Sequence, residues 1–348
     1  MTTKSTFTYN DAGVDISRAN AAKKRIKKLA QRTFTSDVIS EIGNYGGLFR
    51  LGQRKASRPI LVSSVDGVGT KLKIAFTTGI HHTIGKDLVA HCVNDILVQG
   101  ATPLFFMDYI ATSEVVPEII AKVVQGLAVG CQESGCVLLG GETAEMPGFY
   151  SAGEYELAGF IVGLVDKSKL LESHLISSGQ ILLGLSSTGL HTNGYSLARK
   201  LLFEVAGYGV DTQLPELKYS IGRTLLTPHR SYLSLLKPLV DQKLIKGLAH
   251  ITGGGLTENL PRILPRGCSA HIKLGTWPVL PIFKVLQGLG QIEEDEMLRT
   301  FNMGIGMVVV VAPSKLSKVL AHFKRNKETV YNLGEIRQGS RKVFYSRH

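Results

Sequence analysis

The sequence predicts a mixed α/β protein built as two α/β domains, and three observations carry the prediction. Apolar, β-favouring runs alternate with segments whose apolar residues recur at helical spacing. The alternation comes in two sets, separated by a polar stretch at 171–179. The 348 residues are enough for two domains of about 100–200 residues each. The domains are therefore expected at 1–172 and 173–348.

In the first set, strands are expected at 60–65, 103–110, 136–139 and 157–165, where apolar and β-branched residues cluster. Helices are expected at 85–98 and 118–133, which are longer and carry helical periodicity. The second set opens with a strand at 181–185 and continues with helices at 195–205 and 227–239. A glycine loop at 252–255 leads into a helix at 257–263. A strand at 304–311 and a helix at 314–324 close the set. Hydrophobic residues make up 44% of the chain, which supplies a sizeable core. No apolar run reaches the length of a membrane span, about 18 residues. The four cysteines, Cys92, Cys131, Cys136 and Cys268, sit in apolar segments without zinc-ligand spacing. They read as reduced core residues of a cytoplasmic protein.

The net charge of +12 is spread along the chain, with one dense cluster from Lys23 to Arg32. That run has helical spacing and reads as a solvated face or as a mobile segment that closes over phosphates. Aromatic residues do not interleave with it, which argues against a nucleic-acid platform.

The most informative stretch is Ser64-Val-Asp-Gly-Val-Gly-Thr-Lys71, which is expected to form a loop leaving a strand. Glycines let the backbone approach a ligand, and clustered N–H groups hold anions. Lys71 can offset phosphate charge, and Asp66 can hold a Mg²⁺ that bridges phosphates. On the helix at 85–98, Asp87, His91, Asn94 and Asp95 share one polar arc on an otherwise apolar cylinder. Such a stripe is expected either to face a ligand cavity or to face solvent. A third element runs from an apolar strand through Gly140 and Gly141 to Glu142. Asp66, Asp95 and Glu142 together make a carboxylate set suited to Mg²⁺. In the second half, His191 and Asn193 follow a strand end, and Thr252, Gly253, Gly254 and Gly255 precede a helix. The histidine can donate to an oxyanion or phosphate, and the glycine loop can cradle phosphate. The glycines of Met303-Gly-Ile-Gly-Met307 suit close packing.

In order along almost the whole chain, these blocks resemble the aminoimidazole ribonucleotide synthetase (phosphoribosylformylglycinamidine cyclo-ligase) family. The resemblance rests on Asp11-Ala-Gly-Val-Asp-Ile16, Asp66-Gly-Val-Gly-Thr-Lys71, Val93-Asn-Asp95 with Gln99-Gly-Ala101, and Gly140-Gly-Glu-Thr-Ala-Glu-Met-Pro-Gly148. It continues through His191-Thr-Asn-Gly-Tyr-Ser196, Thr252-Gly-Gly-Gly255 and Arg299-Thr-Phe-Asn302. Thr192 stands where serine is common in the family.

The resemblance implies a stand-alone, cytoplasmic purine-biosynthetic enzyme that closes formylglycinamidine ribonucleotide to aminoimidazole ribonucleotide with ATP and Mg²⁺. It implies a homodimer whose N-terminal strands join across the interface, with no nucleic-acid or membrane partner. Asp66, Asp95 and Glu142 become the expected metal site, and Asp95, His191 and Lys27 the expected catalytic groups. Gly67, Gly69, Thr70, Lys71, Asn94 and Gly141, with Asp66, are the expected ATP contacts. His191, Asn193, Thr252, Gly253 and Gly254 are the expected substrate contacts. Related kinases and synthetases share the fold. The absence of a cysteine before Cys92 and the ending Tyr345-Ser-Arg-His348 favour the cyclo-ligase among them.

Overall fold

The computed structural model describes residues 16–42, 46–52 and 56–347. The Asp11–Asp15 part of the first motif lies outside the described residues. Two sheets organise the chain.

The first sheet holds β1 (Pro59–Gly67), β2 (Thr102–Thr112), β3 (Val137–Glu145) and β4 (Tyr155–Asp166), in the order β1-β4-β2-β3. β4 runs antiparallel to both β1 and β2, while β2 and β3 are parallel. Parallel neighbours need a crossover, and a helix supplies it here. The first half carries α1 (Ile16–Gln31), α2 (Leu72–Thr78), α3 (His82–Leu97) and α4 (Pro117–Glu133). α3 lies over β1, β4 and β2 and packs on α4. The two helices cross closely because glycine stands at the contact: a Cβ on Gly126 would come 2.1 Å from the His82 carbonyl oxygen.

The second sheet holds β5 (Ile181–Ser186), β6 (Gly247–His250), β7 (Cys268–Leu274), β8 (Ile305–Val311), β9 (Val330–Gln338) and β10 (Val343–Arg347). Its order is β10-β7-β9-β5-β8-β6. Around it lie α5 (Tyr195–Arg199), α6 (Ile221–Leu225), α7 (Leu233–Asp241), α8 (Gly255–Asn259), α9 (Pro281–Gly290), α10 (Glu294–Thr300) and α11 (Leu316–Arg325).

Three local expectations need correction. Asp66 and Glu142 lie inside β1 and β3, not in loops beyond them. The helix expected at 195–205 passes into a π-helical segment, Lys200–Val205. The helix expected from 227 begins only at Leu233. Pro228 disfavours a helical residue before it, and α3 captures the 229–232 backbone by hydrogen bonds. β6 has only four residues and no strong β-branched signal, so it is silent in the sequence.

Candidate active site

The polar arc of α3 does two jobs. Asp87 and Asn94 are fully buried and hold neighbouring backbone. Asp87 Oδ1 accepts the His229 N–H at 2.6 Å. Asn94 Oδ1 accepts the Tyr232 N–H at 2.9 Å, and its amide donates to the Arg230 carbonyl at 2.8 Å. Asn94 is thus committed to this loop and does not reach toward a nucleotide. His91 and Asp95 instead face the end of β1.

Lys71 requires the largest correction. Its side chain is 0% exposed and forms an ion pair with Asp87 at 2.8 Å. It also donates to the carbonyls of His191 at 3.1 Å and Thr227 at 2.9 Å. Burial pushes the lysine down and the carboxyl up, and their mutual attraction opposes both shifts. Lys71 ties the first half to the second and offers no free ammonium for phosphate.

Around Asp66 and Asp95 the structure gathers histidines from four segments. His91 Nε2 donates to Asp66 Oδ2 at 2.8 Å and lies 3.8 Å from Asp95 Oδ2. His250, at the end of β6, donates from Nδ1 to Asp95 Oδ1 at 2.8 Å. Ser64 donates to Asp95 Oδ2 at 3.1 Å, and the Gly67 N–H donates to Asp66 Oδ1 at 2.7 Å. Burial raises both carboxyls, yet the imidazole bonds outweigh it and hold both below the ordinary value. Thr192 Oγ1 lies 2.7 Å from His91 Nδ1 and 3.3 Å from His229 Nδ1. His229 Nε2 lies 3.0 Å from His250 Nε2.

His191 is buried at φ 61° and stacks on His229, with centroids 3.9 Å apart and planes at 22°. Gly306 makes room for this ring: a Cβ there would lie 2.6 Å from His191 Cε1 and 2.1 Å from the Tyr232 hydroxyl. His191 Nε2 accepts the Thr188 N–H at 3.1 Å, which leaves the ring hydrogen on Nδ1. That Nδ1 is buried without a partner among the described residues. Burial, then neighbouring cations, hold His191 well below the ordinary histidine value, so the ring is neutral at pH 7. Asn193 reaches the glycine loop, since its Oδ1 lies 3.2 Å from where a Gly253 Cβ would stand. Thr252 donates to Asn259 Oδ1 at 3.2 Å. Gly254, at φ 95°, turns the chain into α8. Gly67 and Gly69 close β1, and Thr70 Oγ1 meets Ser196 Oγ at 3.0 Å.

Glu142, Gly141 and Lys27 are not brought to Asp66. In register, Asp66 pairs with Gly159, Gly159 with Asp108, and Asp108 with Gly141. Three strand spacings separate the ends of that row, about 14 Å. Glu142 is one residue further on, so it faces the opposite side of the sheet, beside Tyr109. The expected three-carboxylate metal site therefore does not form within one chain. Lys27 pairs with Glu41 at 2.6 Å on α1, which packs on α4 and β3 at the far edge from β1. The charge run is a solvated helix face here. His229 had no marker in the sequence, since Pro228-His229 reads as an ordinary helix start.

Models of the two AIR synthase related protein domains match this chain, the N-terminal one over residues 47–165 and the C-terminal one over residues 177–346. The phosphoribosylformylglycinamidine cyclo-ligase of Brevibacillus brevis is 50% identical over 338 residues, covering 97% of this chain and 98% of that protein. The enzyme of the same name from Geotalea daltonii is 52% identical over 333 residues, covering 96% of each chain. Among solved structures, thiamine-monophosphate kinase from Stenotrophomonas maltophilia matches with a TM-score of 0.70 at 16% identity, covering 94% of this chain and 96% of that one. Hydrogenase maturation protein HypE in complex with ATP matches with a TM-score of 0.63 at 17% identity, covering 92% of this chain and 89% of that one. These two distant structures share the fold. The near-full-length sequence matches decide the family: this chain belongs to the phosphoribosylformylglycinamidine cyclo-ligases, the AIR synthase family.

Proposed function

We propose that this chain catalyses the ATP-dependent closure of formylglycinamidine ribonucleotide to aminoimidazole ribonucleotide, releasing ADP and phosphate. The observation that carries this reading is 50% identity to a named cyclo-ligase over 97% of the chain. An amide carbonyl is a poor electrophile with a poor leaving group. Attack of the formyl oxygen on the γ-phosphorus breaks the terminal P–O bond of ATP and gives an imidate phosphate and ADP. The amidine nitrogen then attacks the same carbon and loses a proton, and phosphate leaves. Proximity lowers the second barrier, and exclusion of water protects the intermediate.

In this proposal Gly67, Gly69 and Thr70 face the nucleotide phosphates, and His191 Nδ1–H donates to the substrate. Asn193 and Thr252 to Gly254 bind the substrate from the second half. Asp66 and Asp95 suit Mg²⁺, because their carboxylates are hydrogen-bonded yet 39% and 28% exposed and keep spare lone pairs. When bound, Mg²⁺ offsets phosphate charge.

We also propose a homodimer through the outer face of the first sheet. Leu61, Val65, Met107, Tyr109 and Phe160 are exposed there on adjoining strands. A contiguous apolar face of this kind marks an interaction surface. Glu142 stands on that face, so any role it has is toward the second copy. Among the described residues no helix is long and apolar enough to cross a membrane. We place the protein in the cytoplasm on its proposed pathway.

The test measures ADP and aminoimidazole product together, with and without formylglycinamidine ribonucleotide. Equal amounts of both, only with substrate, are expected. ADP without the aminoimidazole would overturn the assignment in favour of a kinase.

A further inference from the structure

The block Arg299-Thr-Phe-Asn302, marked in the sequence, sends one side chain to the back of the His191 loop. Asn302 is buried in the connection between α10 and β8, where β5 leaves the sheet and β8 enters it. Its Oδ1 accepts the Gly304 N–H and the Ser187 hydroxyl, both at 2.9 Å. Its Nδ2 donates to the Gly189 carbonyl at 2.8 Å. A backbone N–H only donates and a carbonyl only accepts, so the amide has a single possible orientation. The Ser187 N–H adds a bond across the same junction, to the Gly304 carbonyl at 2.9 Å. Asn302 thus grips the residues on both sides of Thr188. The Thr188 N–H is the group that donates to His191 Nε2 at 3.1 Å, and the Thr188 hydroxyl donates to the Pro228 carbonyl at 2.6 Å.

We propose that Asn302 is a positioning residue: it clamps the 187–189 turn so that the Thr188 N–H holds the His191 ring with Nδ1–H turned to the substrate. The proposal rests on the reading in which that Nδ1–H donates to the substrate. Backbone conformation shows why a clamp is needed. His191 stands at φ 61°, and Met303 and Gly304 stand at 49° and 96°. A residue other than glycine stays in the left-handed region only where its surroundings hold it there. Trp277 Nε1 donates to the Met303 carbonyl at 2.9 Å, and Asn302 takes the Gly304 N–H. These two residues turn the chain into β8, where Gly306 leaves room for the His191 ring. The same side chain therefore sets both the floor under the ring and the N–H that orients it. Its neighbour Phe301 packs at the far end of the loop, where a Cβ on Gly194 would lie 2.4 Å from the phenyl ring.

Asn302→Asp keeps the shape and the acceptor but sets a carboxylate oxygen against the Gly189 carbonyl. Ser187→Ala removes one bond and leaves the amide in place, a milder change should Asn302→Asp fail to fold. Ring-¹⁵N-labelled histidine NMR is the first readout and needs no turnover. The wild type is expected to show a histidine protonated on Nδ1 and accepting on Nε2 that is missing from His191→Gln, which assigns it to His191. Asn302→Asp is expected to lose that pattern, and Ser187→Ala to shift it. The kinetic arm is read well below the unfolding temperature. There Asn302→Asp is expected to lower kcat by about 100-fold, the scale of a 1 Å misplacement. The KM for ATP should hold, because the proposed phosphate contacts Gly67, Gly69 and Thr70 lie in the first half. In a His191→Gln background the same substitution is expected to cost little more, since the group it positions is already gone. An equal loss in both backgrounds would overturn the proposal. So would an unchanged His191 ring pattern in Asn302→Asp or, should that variant not fold, in Ser187→Ala. Absence of turnover in the wild type would count against the cyclo-ligase reading alone, and the NMR arm would still decide the role of Asn302.

Discussion

The two sheets of this molecule are covered differently. In the second sheet β8 is buried at all seven positions, and its strand reads as an unbroken apolar run. In the first sheet β1 alternates from Pro59 to Asp66 between exposed and half-buried residues, and the exposed ones include Leu61 and Val65 at 60% and 68%. The inward residues of β1 lie under α3, whereas nothing in the described chain covers the outward ones. A sheet that spends apolar residues on both faces but packs only one is incomplete by itself. The second sheet finishes a core, while the first leaves bare the apolar face of the proposed dimer and carries Asp66 on its covered side.

The largest expected effect breaks the joint between the two halves. Lys71→Met leaves Asp87 buried without its cation, which costs about 3–5 kcal/mol, read as a lower urea midpoint. Adding Asp87→Leu should return only part of that loss, because it also removes the acceptor of the buried His229 N–H. If Lys71→Met unfolds at the wild-type midpoint, the ion pair is not what joins the halves.

Next, Val65→Glu puts a charge on the bare face of β1. Sedimentation equilibrium should show dimer association weakened on the order of 100-fold or more, as an unpaired charge in an apolar contact demands. Folding of the monomer should survive, because the outward position packs on nothing among the described residues. The same change at Val309, inside β8, should abolish folding. A Val65→Glu protein that remains dimeric would move the interface elsewhere.

A smaller effect is expected at Gly306→Ala, where the new methyl would press on His191 and the Tyr232 hydroxyl. Overpacking of this sort costs about 1–3 kcal/mol, and kcat should fall more than stability does because His191 is displaced. The smallest effect is expected at Lys27→Ala. Its partner Glu41 is on the surface, so the melting temperature should hold and the KM for ATP should not move. A marked rise in that KM would bring α1 back to the nucleotide.

Much of the plan was legible in the residues. The Asp66–Gly69 block, the α3 arc with His91 and Asp95, and the His191 loop do lie together around one site. Other roles went wrong for identifiable reasons. Lys71 has the composition of a phosphate ligand, but its place after β1 points it under the 228–232 loop at Asp87. Glu142 differs from Gly141 by one residue, and in a strand one residue changes the face. His229 and His250 enter through a short irregular segment and a four-residue strand, where no local period exists to be read.

The sequence by itself determined the strands of the first sheet, the family and most of the residue types that meet at the site, because periodicity, turn chemistry and ordered motifs are local properties; β6, β7, β9 and β10 of the second sheet were not marked in it. Tertiary structure decided which charges are spent inside and which stay open. Strand order and the face each strand residue takes depend on pairings between segments distant in sequence, and the capture of 229–232 by α3 spans more than a hundred positions. Burial then sets the outcome: a lysine taken out of water must find its carboxylate, and a carboxylate at a sheet's open end keeps lone pairs for a ligand.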